Sequence, residues 1–337
     1  MTRLLSIFET QRLALQAMLD HDKSLEERNR LGQFATPTAL AQAILAHSLS
    51  FLPAQQTIKF LDPVLGTGSF YSALQTMTST QPIERACGIE IDPHYALPAR
   101  DLWSPTPLHL QMGDFTTLQP PSDEHNRFNL LVCNPPYVRH HHLESSDKVR
   151  LQALSEAVFG QRIDGLAGLY CYFIARAHAW MAQNAIAAWL IPSEFMTVNY
   201  GRVIKHYLLA KVTLLHIHRF DPNDGQFADA LVSSAVVFLR NTPPSPDHRV
   251  TFTYGGPLDK PAVTKQVAVN DLREESKWTR FPVADVRTAT TGPMIRDFFR
   301  ITRGLVTGDN RFFILTPEQI TAHDIPCLLY TSDAADE

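Results

Sequence analysis

Residues 60–70 read FLDPVLGTGSF, an apolar run of strand length that ends in Asp62-Pro63 and then passes through Gly66-Thr67-Gly68 into a helical pattern. Glycines at a strand-to-helix turn let the backbone come close to a ligand. The third glycine of the dinucleotide fingerprint is missing, and a loop this short suits a ligand with less negative charge than a pyrophosphate, such as an amino-acid tail. The next strand pattern carries Glu90, 24 residues after Gly66, where a carboxylate can accept hydrogen bonds from ribose hydroxyls. Asp114 and Phe115 end the third strand, one suited to accept from an adenine amine and the other to cover its face. Taken singly, a GxG is a tight turn and a terminal acid a solvated cap. Their order at the ends of three successive strands points to a nucleoside with an amino-acid tail, which S-adenosylmethionine fits better than a nicotinamide dinucleotide.

Outward from this stretch, strands and helices alternate. The pattern predicts strands at Ile58 to Leu61, Ala86 to Ile91, Leu108 to Met112, Leu130 to Cys133, Ala187 to Ile191, Val212 to His216 and Ser234 to Leu239. It predicts helices over Ser69 to Met77, Leu166 to Met181 and Tyr200 to Leu209, and a charged helical stretch over residues 4–30. In LGQFATPTALAQAIL, Thr36 is placed as an N-cap with Pro37 in the first turn and Leu40, Ile44 and Leu45 as an apolar stripe. Alternation of this kind implies a mostly parallel sheet with helices on both faces and ligands at the strands' carboxyl ends. After Arg240 the proline-rich NTPPSPDH breaks the pattern, and only short, weak strand signals follow to about residue 300.

The fourth strand runs into Asn134-Pro135-Pro136-Tyr137. Two prolines can end an edge strand, but an edge needs no Asn before them. A chemical reason covers all four positions. An adenine amine is a weak nucleophile, and positive charge grows on its nitrogen as it attacks a sulfonium methyl. Acceptors aimed at its N–H groups strengthen in that transition state. The Asn134 side-chain carbonyl and the Pro135 backbone carbonyl can be those acceptors, prolines hold them in place, and Tyr137 offers a flat face to a base taken out of a duplex.

The ordered set GQFATP, DPVLGTGSF, GIEIDP, GDF, NPPYVR, LYCYFIARA, LIPSEFM, DGQFADALVSSAVVFL and ITRGLVTGDNRFFIL resembles the gamma-type N6-adenine DNA methyltransferases, and within them the methylase modules of restriction-modification enzymes. The resemblance covers about residues 30–315. It implies a Rossmann-like class I methyltransferase fold with a mostly parallel seven-stranded sheet and helices on both faces. It implies cofactor contacts from Thr36, Asp62, Gly66 and Gly68 around the methionine moiety and loop, from Glu90 to the ribose, and from Asp114, Phe115 and Phe173 to the adenine. It implies catalysis by Asn134, Pro135 and Tyr137, with Phe227 as a second aromatic against the flipped base.

The implied organisation is an N-terminal helical segment over residues 1–30, a catalytic domain over 31–240, a connecting region over 241–300, the beginning of a truncated target-recognition domain over 301–326 and a non-native tail over 327–337. The implied partners are double-stranded DNA and a restriction endonuclease or specificity subunit. A protein glutamine methyltransferase and a non-catalytic cofactor- or DNA-binding subunit are the alternatives.

Composition adds exclusions. With 337 residues, 45% apolar, the chain has material for full cores. No apolar run is of spanning length and no signal peptide is legible, so a cytoplasmic protein is expected. The four cysteines show no metal-ligand spacing, and contiguous histidines at 140–142 cannot converge on one ion, so no metal is expected. A net charge of −4 leaves nucleic acid binding to local patches.

Overall fold

The computed structural model describes residues 2–77, 81–138, 145–164, 167–221, 233–282, 293, 295–300 and 315–325. They fall into two compact units, Met1–Asp285 and Val286–Glu337.

The first unit begins with α1 (Thr2–His21), α2 (Leu25–Leu31) and α3 (Thr38–Ser50). The single helical stretch expected over residues 4–30 is two helices, because Ser24 and Glu27 form a capping box. Glu27 N donates to Ser24 Oγ at 3.2 Å and Ser24 N donates to Glu27 Oε2 at 2.9 Å. There follow β1 (Ile58–Asp62), α4 (Ser69–Met77), β2 (Ile83–Glu90), α5 (Pro93–Trp103), β3 (Leu108–Met112), β4 (Phe128–Cys133), α6 (Ser145–Phe159), α7 (Leu169–His178), β5 (Met181–Pro192), α8 (Gly201–Ala210), β6 (Thr213–Arg219) and β7 (Ser234–Arg240). Strands β8 (Arg249–Tyr254) and β9 (Val263–Ala268) then precede α9 (Val269–Glu274).

Among the described residues the sheet has nine strands in the order β3-β2-β1-β4-β5-β7-β6-β8-β9, two more than expected. The extra pair lies after Arg240, where exposed polar positions such as Arg249 and Thr264 dilute the apolar signal. β7 runs antiparallel to both β5 and β6, and β9 antiparallel to β8; the remaining pairs are parallel. β5 starts at Met181, so the helix expected to reach that residue stops at His178.

Side-chain alternation divides two cores between the faces of the sheet. On β4, Leu131 and Cys133 join the core that includes Tyr170, Phe173, Ile204 and Tyr207 from α7 and α8. Leu130 and Val132 join the opposite one, with Ile44 of α3, Phe70 of α4 and Trp103 of α5. A strand buried on both faces reads as a continuous apolar run, and β4 is buried at every position.

The chain leaves β1 toward β2 and β3 on one side, then returns to place β4 on β1's other side. Pairing of Phe60 with Leu130 and Leu61 with Leu131 sets the ends of β1 and β4 side by side. Asp62 and Asn134 therefore emerge at one switch point, where ligands of open α/β sheets bind.

The described residues of the second unit include the short helices Ile295–Phe298 and Pro317–Ala322, the latter opened by a Thr316–Gln319 capping box. Among the described residues, no helix is long and apolar enough to cross a membrane.

Candidate active site

A cavity of about 640 Å³ opens at the carboxyl ends of β1, β2, β3 and β4. Thr36, Asp62, Gly66, Glu90, Asp114, Phe115, Asn134 and Phe173 all line it.

Its floor is the glycine loop. Leu65 N donates to Ile89 O at 2.8 Å, locking the loop onto β2, and Val64 N donates to Asp62 Oδ1 at 3.1 Å. Gly66 has φ +55°, and a Cβ there would meet nothing within 4 Å, so backbone conformation demands the glycine and its face stays open to the cavity. Gly68 does not line the cavity. A Cβ there would lie 2.6 Å from Trp103 Nε1, so its place is in packing beneath the loop.

Glu90 is 5% exposed and accepts from Gly66 N at 2.8 Å and from Asp92 N at 2.9 Å. Burial raises its pKa above the ordinary carboxylate range against those two hydrogen bonds. Asp62 is also buried, and desolvation together with the charge of Glu90 pushes its pKa well up. Each Glu90 oxygen carries two lone pairs, so each retains acceptor capacity for a ribose hydroxyl.

At the far end, Thr116 ties down Asp114: its N donates to Asp114 Oδ1 at 2.8 Å and its hydroxyl lies 2.8 Å from both carboxylate oxygens. Arg150 of α6 donates to the Thr116 carbonyl at 3.1 Å and hydroxyl at 3.2 Å, with Nη2 3.7 Å from Asp114 Oδ2. Phe115 and Phe173 meet at 5.6 Å between ring centroids. Ile91, 63% exposed, lies on the rim. Sequence reasoning passed over Ile91 and Arg150. An apolar residue directly after the ribose acid was a legible signal for the first; nothing local marked the second.

At the end of β4, Asn134 Nδ2 donates to Phe34 O at 3.2 Å and Thr36 Oγ1 at 3.3 Å. Phe34 O can only accept, so the atom facing it is the amino group, and Oδ1 is the atom left for a substrate. Thr36 serves this contact instead of capping α3. The N-cap position belongs to Pro37, without a side-chain cap bond, because α3 starts one residue later than expected. Gly32, at φ +66°, lies so close to the Pro136–Tyr137 backbone that a Cβ would sit 2.7 Å from Tyr137 N. The GQFATP and NPPY segments are thus built as one unit.

Pro135 is buried; Pro136 and Val138, not Pro135 or Tyr137, reach the cavity wall. Tyr137 donates its hydroxyl to Leu190 O at 3.1 Å, and burial raises the phenol pKa, so the group stays a donor. Phe227 and the Arg139–His142 run lie outside the described residues.

Residues 94–227 match the family model described as Eco57I restriction-modification methylase. The chain is 24% identical over 340 residues to the type II methyltransferase M.AccI of Acinetobacter calcoaceticus, covering 94% of this chain and 60% of that protein. It is 26% identical to M.XamI of Xanthomonas campestris pv. amaranthicola, covering 85% and 53%. The chain thus spans about half the length of the curated relatives it matches.

Among solved structures, it resembles a protein described as a class I S-adenosylmethionine-dependent methyltransferase from Listeria monocytogenes (TM-score 0.59, 15% identity, 80% of this chain and 77% of that one). It also resembles the type IIG restriction endonuclease BpuSI (TM-score 0.56, 15% identity, 72% and 32%). The cavity suits the cofactor that such a fold implies: buried Glu90 for a ribose, an open Gly66 face and an aromatic pair for a purine. Residues 94–227 thus resemble an Eco57I restriction-modification methylase domain, and the fold resembles that of a class I methyltransferase.

Proposed function

We propose that the chain transfers a methyl group from S-adenosylmethionine to N6 of an adenine flipped out of double-stranded DNA, as the modification activity of a site-specific restriction-modification system. The observation that carries this reading is the Asn134 amide, whose amino group is held by Phe34 and Thr36 while its carbonyl is left for an incoming N–H.

In the reaction the adenine N6 lone pair would take the sulfonium methyl carbon as the C–S bond breaks, S-adenosylhomocysteine leaving with the bonding electrons on sulfur and the N6 proton passing to solvent. Asn134 Oδ1 and the Pro135 carbonyl accept from the N6 hydrogens as charge develops there. Bound S-adenosylmethionine supplies the activated methyl. Glu90 holds its ribose, Asp114 its adenine amine, and Phe115, Phe173 and Ile91 the faces and edge of the purine. Tyr137, its ring anchored through Leu190 O, supports the extruded base. Residues 301–326 are the start of a target-recognition segment in this reading.

The test is transfer of tritiated methyl to unmethylated DNA of mixed sequence, with nucleoside analysis of the product. Labelled N6-methyladenine is expected. Label in another nucleoside would overturn the adenine assignment, and label in protein glutamine would replace the DNA substrate with a polypeptide.

A further inference from the structure

One residue of α1 reaches the cavity, and that helix precedes all the cofactor and catalytic motifs read from the sequence. We propose that Gln16 is a further cofactor-binding residue, which receives the amino-acid tail of S-adenosylmethionine and is held in place, through Thr67, by a Glu9–Arg12 pair whose arginine is buried.

Gln16 lines the cavity next to the glycine loop. Its Oε1 accepts from the Thr67 hydroxyl at 2.6 Å and its Nε2 donates to Asp20 Oδ1 at 2.8 Å. A side-chain amide has two donors and two acceptor lone pairs, so these bonds leave one N–H and one lone pair for a ligand. A methionine tail carries a carboxylate and an ammonium, which need one donor and one acceptor. A neutral amide serves both without opposing either charge.

The amide is also prepositioned. Arg12 is 1% exposed, and its guanidinium spreads over three elements. It donates twice to Glu9 at 2.7 Å, to Ser69 Oγ at the start of α4 at 3.1 Å, to Thr67 Oγ1 at 3.4 Å and to Thr38 Oγ1 of α3 at 3.3 Å. Burial works to raise the pKa of Glu9, but hydrogen bonds from Arg12, Ser72 and Thr38 outweigh it and hold the carboxyl below its ordinary range. Phe8 stacks on Trp103 at 5.6 Å, and Tyr95 of α5 donates to the same Asp20 oxygen that receives Gln16. Thr67 is thus gripped by both Gln16 and Arg12, which fixes Gln16 relative to the open face of Gly66.

The inference rests on the tail lying at the glycine loop, and the experiment separates the two. Calorimetry on the full chain compares S-adenosylmethionine with 5′-methylthioadenosine, which keeps the nucleoside but lacks the tail. For Gln16→Ala, and for the shape-preserving Gln16→Met should the alanine variant melt early, the Kd for S-adenosylmethionine is expected to rise about threefold to tenfold. The Kd for 5′-methylthioadenosine should not move. A purely structural role would weaken both ligands equally, and no role would weaken neither; either result overturns the assignment. If Gly66→Val, which blocks the open face, also leaves the preference between the two ligands intact, the placement of the tail itself falls.

Discussion

The two halves of the cavity are built differently. On the cofactor side, the polar groups are already engaged with the protein: Glu90 accepts two backbone N–H groups, Asp114 is held by Thr116, and the glycine loop is bonded to β2. On the side of Asn134, the amino group is engaged and the carbonyl is kept for the substrate. In the proposed reaction the first arrangement would hold the cofactor in its ground state. The second would meet charge that exists only in the transition state, which is where catalysis gains.

Variants can break this contrast. The largest effect is expected for Asn134→Ala: a fall in kcat of about tenfold to a hundredfold or more, since a hydrogen bond to a charged group is worth about 1.5–3 kcal/mol and Asn134 also orients Thr36. Its Kd for S-adenosylmethionine by calorimetry should change by no more than about threefold. Glu90→Ala should do the reverse, raising that Kd about tenfold to a hundredfold. Equal loss of cofactor binding in both variants would erase the division between the halves.

The contrast can be sharpened with pH. In its proposed role Glu90 would bind ribose as the carboxylate, and burial raises its pKa from the ordinary 4.5. As pH falls, the group protonates earlier than an exposed glutamate, so cofactor affinity should weaken with acidification from above pH 4.5. In Glu90→Gln the affinity should be low and flat across that range; an unchanged slope would assign the dependence to another group. The smallest effect is expected for Tyr137→Phe, which removes only the anchor to Leu190 O and should lower kcat about twofold to tenfold. Tyr137→Ala, which removes the ring, should cost distinctly more, and parity of the two would exclude stacking by the ring.

Much of the cofactor half was legible because its signals are local. Strand ends, a glycine with positive φ at position 66 and an acid at the end of β2 follow from periodicity and turn chemistry within a few residues. Neighbouring signals were passed over: the Ser24–Glu27 capping box divides α1 from α2, and Asp92 with Pro93 starts α5, its side chain accepting from His94 N at 2.9 Å. Thr36 reads locally as a cap for the same reason in reverse, since its partner lies 98 residues away.

The order of strand-end motifs, the need for glycine at the loop and the stiff Asn134-Pro135 terminus are all written in the amino-acid order, because backbone sterics and alternation act over short windows. Tertiary structure alone decided that Gly68 packs on Trp103, that β8 and β9 extend the sheet, that Arg150 reaches Thr116 and that Arg12 and Gln16 of α1 grip the glycine loop. The Arg150, Gln16 and Arg12 contacts join residues 34, 51 and 55 positions apart, and chain segments so separated meet only once strand register and helix docking have been set.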